Sequence, residues 1–371
     1  MTTSSSPLSL YLHWPYCARI CPYCDFNVHL ARRREAEAPA LVEAMGRDLA
    51  LQREVTGPRE VVSVHFGGGT PSLMEAGWVA RLLERVDTLW GLPGTAEVGL
   101  EANPTLMGRA QAEGFRAGGV NRLSFGVQTF AEAGLRRLGR DHGAEEARRA
   151  VEDALEVMDN VSCDLIFGWK GQTDAVWRRD LETTLALGVP HVSAYQLTVE
   201  AGTAYGKALE RGDDPAVGAE ASEGFYGVAE AVLREAGFAH YEVSNWARKG
   251  YRSVHNFAVW QGVDYLGVGP GAHGRITVEG VRRATLHARR PADYIANPVP
   301  EVEVLDAEDA ALERLLLGLR TVEGVGLTEV AALEMPGLAE LEGLLEARGD
   351  RLVATPDGRR VLDAVVGRLL G

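Results

Sequence analysis

Only four of the 371 residues are cysteine, and three of them, Cys17, Cys21 and Cys24, fall within one short stretch. So few thiols, so closely grouped, cannot build a disulfide framework. Long apolar runs are absent as well: nothing reaches the roughly 18 uninterrupted apolar residues of a membrane span, and "MTTSSSPLSL" has neither the basic segment nor the apolar core of a leader. Positive charge is in short supply, with 38 basic against 52 acidic residues and a formal net charge of -14. A surface of that sign repels nucleic acid and anionic lipid, which leaves Arg32, Arg33 and Arg34 as one local basic run. These absences together describe a cytoplasmic protein whose clustered thiols serve a metal or catalysis. What is present is apolar matter, 46% of the chain, enough for a large core and a smaller second one.

Short β-branched runs recur about every 30 residues with amphipathic segments between them, the rhythm of βα units. The strand candidates are 8–13, 61–66, 96–101, 122–126, 162–168 and 191–198; "EAPALVEAMGRDLALQREV", "EAGWVARLLERVDTLWG", "EEARRAVEDALEVM" and "DAVWRRDLETTLALG" read as helices. Six units predict an α/β fold, a partial (β/α)6 barrel rather than a closed one of eight. Past about residue 205 the rhythm breaks. The stretch 208–220 is polar and loop-like, a helix follows near 219–236, and the Gly- and aromatic-rich segment after it shows no clear period. From about residue 300 short Leu-rich helices and a hairpin-like "DRLVATPDGRRVL" predict a helical or winged-helix-like module; with few basic residues, it suits packing or a partner better than DNA. The expected units are residues 1–240, 241–299 and 300–371.

In a parallel βα barrel the loops leaving the C-terminal strand ends share one mouth, where chemistry collects. The cysteine loop follows the first strand and "GGGTP", Gly67 to Pro71, the second; Glu101 ends the third, Gln128 follows the fourth, Asp164 lies on the fifth, and Gln196 and Thr198 end the sixth. The thiols are spaced CxxxCxxC, which admits three readings. A Cys3His zinc site would recruit His13, Asp25 or His29. A redox CxxC of Cys21 and Cys24 leaves Cys17 without a task. A four-iron cluster held by three thiolates leaves one iron open, and spacing, barrel context and compartment favour it. Cys163, inside the apolar run "VSCDLIFG", reads as a buried structural thiol.

The ordered set "CPYCDFN", "HFGGGTPSLM", "NRLSFGVQTF", "LGRDH", "DLIFG", "YQLTVEAGT" and "YLGVGPGAHG" resembles the radical S-adenosylmethionine (SAM) superfamily and, more narrowly, the HemN/HemW family of oxygen-independent coproporphyrinogen oxidases and heme chaperones. The resemblance runs from about residue 8 into the C-terminal module and implies a radical SAM barrel with a HemN-type helical module at 300–371. It implies that Cys17, Cys21 and Cys24 hold a [4Fe-4S] cluster whose fourth iron binds SAM, and that one electron from the cluster cleaves the sulfonium. It places Tyr11 and Tyr23 beside the cluster, Gly68, Gly69 and Thr70 against the methionine part, and Glu101, Gln128, Arg140, Asp164 and Thr198 around SAM. Glycine suits that approach because it lacks a Cβ, and the motif has no GK[ST] of a phosphate loop.

Within the family the oxidases extend the motif to CxxxCxxCxC and carry an N-terminal extension. Here Phe26 stands two positions beyond Cys24 and 16 residues precede Cys17, which favours the heme-chaperone branch. That branch is marked by HNxxYW in the segment 241–299; this chain reads "HNFAVW", so His255 and Trp260 are the heme-site candidates and Val259 replaces the tyrosine. Imidazole is an axial ligand for heme iron and aromatic neighbours suit a porphyrin face, although a lone histidine among aromatics is commonly structural. His273, in "GPGAHG", is a second candidate, in a family position nearer the SAM site. The implied cofactors are a [4Fe-4S] cluster, SAM and heme. The implied partners are acceptor hemoproteins, a reduced flavodoxin or ferredoxin-type donor and, transiently, membrane-bound respiratory acceptors, with no nucleic acid. The alternative function is SAM-dependent oxidative decarboxylation of coproporphyrinogen III to protoporphyrinogen IX.

Overall fold

Alternation along the first strand, Pro7–Trp14, sets the architecture: Leu8, Leu10 and Leu12 are fully buried on one face, while Ser9, Tyr11 and His13 take the other. The leucines share the main core with Leu41, Met45 and Leu49 of the helix Ala38–Thr56. The opposite face continues in the neighbouring strands as Ser63 and His65, Glu97 and Glu101, Ser124, Asp164 and Ser193, so the barrel is apolar toward its helices and polar inside. A polar interior is unusual for a core kept only for stability.

The computed structural model describes residues 6–31 and 36–371, and the basic run Arg32–Arg34 lies outside the described residues. The six strands expected from the sequence are Pro7–Trp14, Glu60–Gly68, Glu97–Ala102, Arg122–Gln128, Val161–Phe167 and His191–Gln196, side by side in that order and parallel throughout. The helices Ala76–Trp90, Ala144–Leu155, Asp174–Ala186 and Ala219–Glu235 occupy the expected places. Thr173 caps one of them through Val176 N, and its Trp177 is fully buried with Nε1 on Phe225 O at 2.8 Å.

The aperiodic segment holds more sheet than its pattern suggested. Asp264–Val268 adds a parallel strand beside Pro7–Trp14, followed outward by antiparallel His273–Val278, Val281–Leu286 and Glu301–Val304. At the other edge Asn245–Ala247 and Ala239–Glu242 pair antiparallel onto His191–Gln196. Strands of three to six residues, joined by glycine turns, are too short to establish a period. Between these flanks the helix Val254–Trp260 packs against the first three barrel strands.

The C-terminal unit has its own core, built on Leu315, Leu319, Val325, Leu352 and Leu369, beneath a three-stranded sheet of Val325–Gly326, Arg351–Ala354 and Leu345–Arg348. It is winged-helix-like, but its hairpin turns at Gly349 and Asp350, so the stretch 350–362 expected to be hairpin-like holds only the second strand and then a helix. Thr355 caps the helix Pro356–Arg360, with Pro356 in the first turn. Cys163 is fully buried in the main core, as expected of a structural thiol, and burial pushes its pKa up. Among the described residues no helix is long and apolar enough to cross a membrane.

Candidate functional site

Two cavities open beside each other at the mouth and interior of the barrel. The first, of about 340 Å³, is lined by Cys17, Cys21, Cys24, Tyr23, Gly68, Gly69, Thr70, Glu101, Gln128, Arg140 and Asp164, together with Ser124, Asn103, Asp141 and Tyr195. Eleven of the residues singled out in the sequence thus converge on one space, from the ends of five strands.

The cysteine loop is clamped from several sides. Tyr16–Cys17 pairs with His29–Leu30, and His29 N and Ala31 N reach Pro15 O and Cys17 O. Tyr205 N bonds Pro22 O at 2.9 Å, and Gly139, at φ +66°, leaves the space that Pro22 fills: a Cβ there would stand 2.6 Å from Pro22 Cδ. The "GGGTP" turn holds the loop from below, with Gly69 N on Trp14 O at 2.7 Å and Thr70 N on Tyr16 O at 2.9 Å. Its glycines answer to the protein's own atoms: a Cβ on Gly68 would lie 2.4 Å from His13 Cε1, and one on Gly69 within 2.9 Å of the Trp14–Tyr16 backbone.

Burial pushes the Cys17 thiol up to about 11, against a hydrogen bond from Thr70, and raises Cys24 as well. Thiols gathered where thiolates are disfavoured need positive charge to ionise, which a metal centre supplies. Part of it is built in: Arg140, half-buried, directs Nη1 at Cys21 Sγ at 3.2 Å and donates to Gly126 O at 2.9 Å. Among the described residues no three His, Cys, Asp or Glu side chains close around a single ion. A lone zinc requires every ligand about 2.3 Å from one point, whereas a cluster presents its irons at separate corners. Of the three candidates for a fourth zinc ligand, two are engaged elsewhere, His13 Nε2 with Asn27 O at 2.9 Å and His29 Nε2 with Arg289 O at 3.4 Å, and Asp25 lines the neighbouring cavity. The donor set therefore fits a cluster held by three thiolates.

Opposite the cysteines stands a row of acceptors. Glu101 and Ser124 are register partners, as are Asp164 and Ser193. Ser124 Oγ donates to both oxygens of Asp164 at 3.1 and 2.9 Å, and Glu101 takes Gly68 N at 3.1 Å and His65 Nε2 at 3.2 Å. Gln128 is a non-glycine residue at φ +68°, where the register with the next strand slips, so a bulge aims its side chain inward. Burial lifts the Asp164 carboxyl to about 6, against hydrogen bonds from Ser193 and Ser124 that pull it down. An acid raised in the folded state is penalised only where it must ionise. The penalty is absent below about pH 4, develops between there and about 6, and is complete above. Asp164→Asn is accordingly expected to be more stable than the parent at pH 7, by up to about 3 kcal/mol. The gain should vanish by pH 4 in thermal unfolding scans, and an unchanged difference across that range would show that ionisation is not its source.

Five of the residues proposed for SAM or heme, Tyr11, Thr198, His255, Trp260 and His273, do not line the cysteine cavity. Tyr11 and His255 line the second cavity, of about 380 Å³, with His13, Asp25, Phe26, Asn27, Val259, Tyr265, His273 and Arg289. Tyr11 lies two residues before His13 on the strand, opposite His65 and Gly267 in register, and its ring sits against Gly67 and Glu101, at the boundary between the two cavities. His273 also belongs here and not beside the cysteines. Thr198 is exposed beyond the end of its strand, outside both cavities. Trp260 lines neither: its carbonyl accepts from Arg314 Nη1 at 3.0 Å and its ring lies 5.8 Å from the Arg320 guanidinium, because the last turn of its helix faces the C-terminal unit. Phe26, 60% exposed, lines both cavities. Sequence reasoning missed Ser124, His65 and Gly139. The first two had a signal in strand parity with Asp164 and Ser63; Gly139 had none.

A model of the Radical SAM superfamily matches residues 11–184. The chain is 38% identical over 374 residues to the heme chaperone HemW of Mycobacterium tuberculosis, spanning 98% of this chain and 95% of that one. It is 36% identical to the HemW of Escherichia coli over 88% and 86% of the two chains. It is 40% identical to the bovine mitochondrial radical S-adenosyl methionine domain-containing protein 1, over 89% and 72%. Among solved structures, coproporphyrinogen III oxidase (HemN) from Escherichia coli, a radical SAM enzyme, superposes with a TM-score of 0.82 over 99% of this chain and 91% of that one, at 20% identity, which speaks for the fold. With a cavity that gathers three thiols on a partial βα barrel, the chain belongs to the radical SAM superfamily and, within it, to the HemW family.

Proposed function

We propose that this protein is a cytoplasmic heme chaperone that carries a [4Fe-4S] cluster and SAM, takes up heme and passes it to acceptor hemoproteins. One observation carries the reading: the thiol-lined cavity and a second, histidine- and aromatic-lined cavity lie side by side and share Phe26. In this reading Cys17, Cys21 and Cys24 hold the cluster, which when loaded supplies one-electron reduction to a bound sulfonium. Arg140 offsets the negative charge of the sulfur ligands, since hydrogen bonds and charge near the sulfurs tune such clusters. Glu101 and Asp164 accept the ribose hydroxyls, Gln128 and Thr70 are the polar contacts on either side, and Tyr23 closes the wall. Phe26 stands where the oxidases place a further thiol, which argues against decarboxylation of coproporphyrinogen III.

The second cavity, at about 380 Å³, is of the size of small-ligand sites, and its open mouth suits a cargo that must leave again. A reduced flavodoxin or ferredoxin-type donor and transient contact with membrane-bound respiratory acceptors complete the proposal. Anaerobic reconstitution followed by hemin titration tests it: the loaded protein is expected to show a saturable Soret band and to release heme to an apo-hemoprotein. Incubation with reductant, SAM and coproporphyrinogen III is expected to yield no protoporphyrinogen. Absence of a Soret change, or formation of protoporphyrinogen, would overturn the reading.

A further inference from the structure

Two serines inside the barrel line neither cavity. Ser9, on the strand Pro7–Trp14, and Ser63, on Glu60–Gly68, are register partners on adjacent strands, both fully buried. Their hydroxyls bond each other, and both meet His255 Nδ1, Ser9 Oγ at 2.9 Å and Ser63 Oγ at 3.2 Å. Neither hydroxyl has another partner among the described residues. A buried hydroxyl is costly unless it is bonded, and a pair of alanines would occupy nearly the same space. The two serines thus serve one imidazole nitrogen.

The elements around His255 fix its ring further. Its helix Val254–Trp260 starts on Glu97, whose carboxylate accepts from Val254 N at 3.1 Å and His255 N at 3.0 Å, and Ser253 Oγ caps it through Asn256 N at 3.2 Å. The imidazole stacks on His65 at 4.7 Å and 12°. With Nδ1 pinned and one face covered, the ring has a single orientation. It lines the second cavity beside Phe26, Val259 and Tyr265, and its Nε2 has no hydrogen-bond partner among the described residues. Burial holds the ring neutral, so one nitrogen carries a proton and the other a lone pair. A hydroxyl both donates and accepts, so the serines suit either arrangement. When Ser9 Oγ donates to Nδ1, the proton sits on Nε2; when Nδ1 donates to Ser9 Oγ, Nε2 presents its lone pair to the cavity. A carboxylate in their place would keep a proton on Nδ1 at all times.

On the proposed heme-chaperone reading, on which this rests, we infer that Ser9 and Ser63 are positioning residues: they hold His255 with Nε2 toward the heme iron and let the ring change tautomer as heme arrives and leaves. On binding, the proton on Nε2 is given up, the nitrogen–iron bond forms, and a proton is taken up on Nδ1, where Ser9 Oγ accepts it. The charge of the ring and the oxidation state of the iron are unchanged. On release the exchange runs backward, and both hydroxyl protons are again bonded, Ser63 to Ser9 and Ser9 to Nδ1. A ligand held this way lets its cargo go.

The test is a hemin titration of the cluster-loaded full chain, read at the Soret band, with resonance Raman spectra of the reduced, heme-bound form. The Ser9→Ala/Ser63→Ala double variant is expected to bind hemin roughly 10- to 100-fold more weakly and to move the iron–histidine stretch to lower frequency, because Nδ1 then has no acceptor. Ser9→Ala alone should weaken binding by a few fold, since Ser63 Oγ stays within reach. The heme-free double variant should unfold close to the parental temperature, because removing both partners strands no hydroxyl. A merely structural pair would lower that temperature and leave the stretch in place. His255→Ala should abolish the stretch. If the double variant keeps the parental affinity and stretch while His255→Ala loses them, the inference is overturned and heme binding stands. If His255→Ala keeps the parental stretch, the ligand lies elsewhere, and the inference falls while the heme-chaperone reading survives. A parent that takes up no hemin overturns both.

Discussion

Cys24→Ala, reconstituted anaerobically, is expected to retain little iron or sulfide and to lose SAM binding by on the order of 10²-fold or more, while remaining folded. The reasoning begins with burial. The Cys17 and Cys24 thiols are pushed above their ordinary range, so in the metal-free protein the loop holds neutral thiols and needs no compensating charge. A bound cluster would require these residues as thiolates, and its iron together with Arg140 would supply the opposing charge. With Cys24 replaced only two of the three thiolates would remain, and His13 and His29, turned toward backbone carbonyls, are not placed to substitute. The loop itself is held by backbone hydrogen bonds and by Pro22 against Gly139 and Tyr205, none of which involves the Cys24 side chain. Iron and sulfide analysis with SAM equilibrium dialysis reads the first effect, and thermal unfolding of the metal-free forms the second. A variant that keeps its full iron and SAM affinity would show that Cys24 is not a ligand.

Gly69→Ala is expected to destabilise the protein by roughly 3 kcal/mol or more and to lower cluster content with it. The added Cβ would meet Tyr16 O at 2.7 Å, Trp14 O at 2.8 Å and Pro15 C at 2.9 Å, all backbone and therefore unable to turn away. Relief requires moving the first strand's end off the turn, which breaks the hydrogen bonds of Gly69 N and Thr70 N and lets the cysteine loop drift. Gly46→Ala is the control. That glycine lies inside the helix Ala38–Thr56 with nothing within 4 Å of a new Cβ, so alanine there should stabilise by about 0.5–1 kcal/mol. Opposite signs from two identical substitutions, measured by thermal unfolding, identify the crowding at the turn as the cause. A neutral Gly69→Ala would mean the turn yields more readily than its contacts imply.

The stability gain expected for Asp164→Asn belongs to the same picture. A carboxyl buried among Ser124 and Ser193 is a liability to the fold alone, and such residues persist where a ligand repays the strain.

The amino-acid order by itself determined the local features. Six strands were legible because each is five or more residues of β-branched and apolar matter with a helix behind it. The cysteine loop and the glycine turn were legible because their chemistry is contained in consecutive residues. What stayed hidden depends on pairing across the chain. The strand Asp264–Val268 joins Pro7–Trp14, more than 200 residues earlier, and its own five residues carry no period that announces this. Tyr11 and Tyr23 look alike in the sequence, yet the stagger that sets Tyr11 beside His65 and Gly267 drops it to the second cavity. His255 carries the recognisable motif, whereas Ser9 and Ser63 carry none. The tertiary structure alone decides that these two serines and His65 meet its ring, which lines the second cavity. Strand parity fixes which face a side chain takes; depth in the barrel and freedom to bind are set by register between distant strands, which no local pattern encodes.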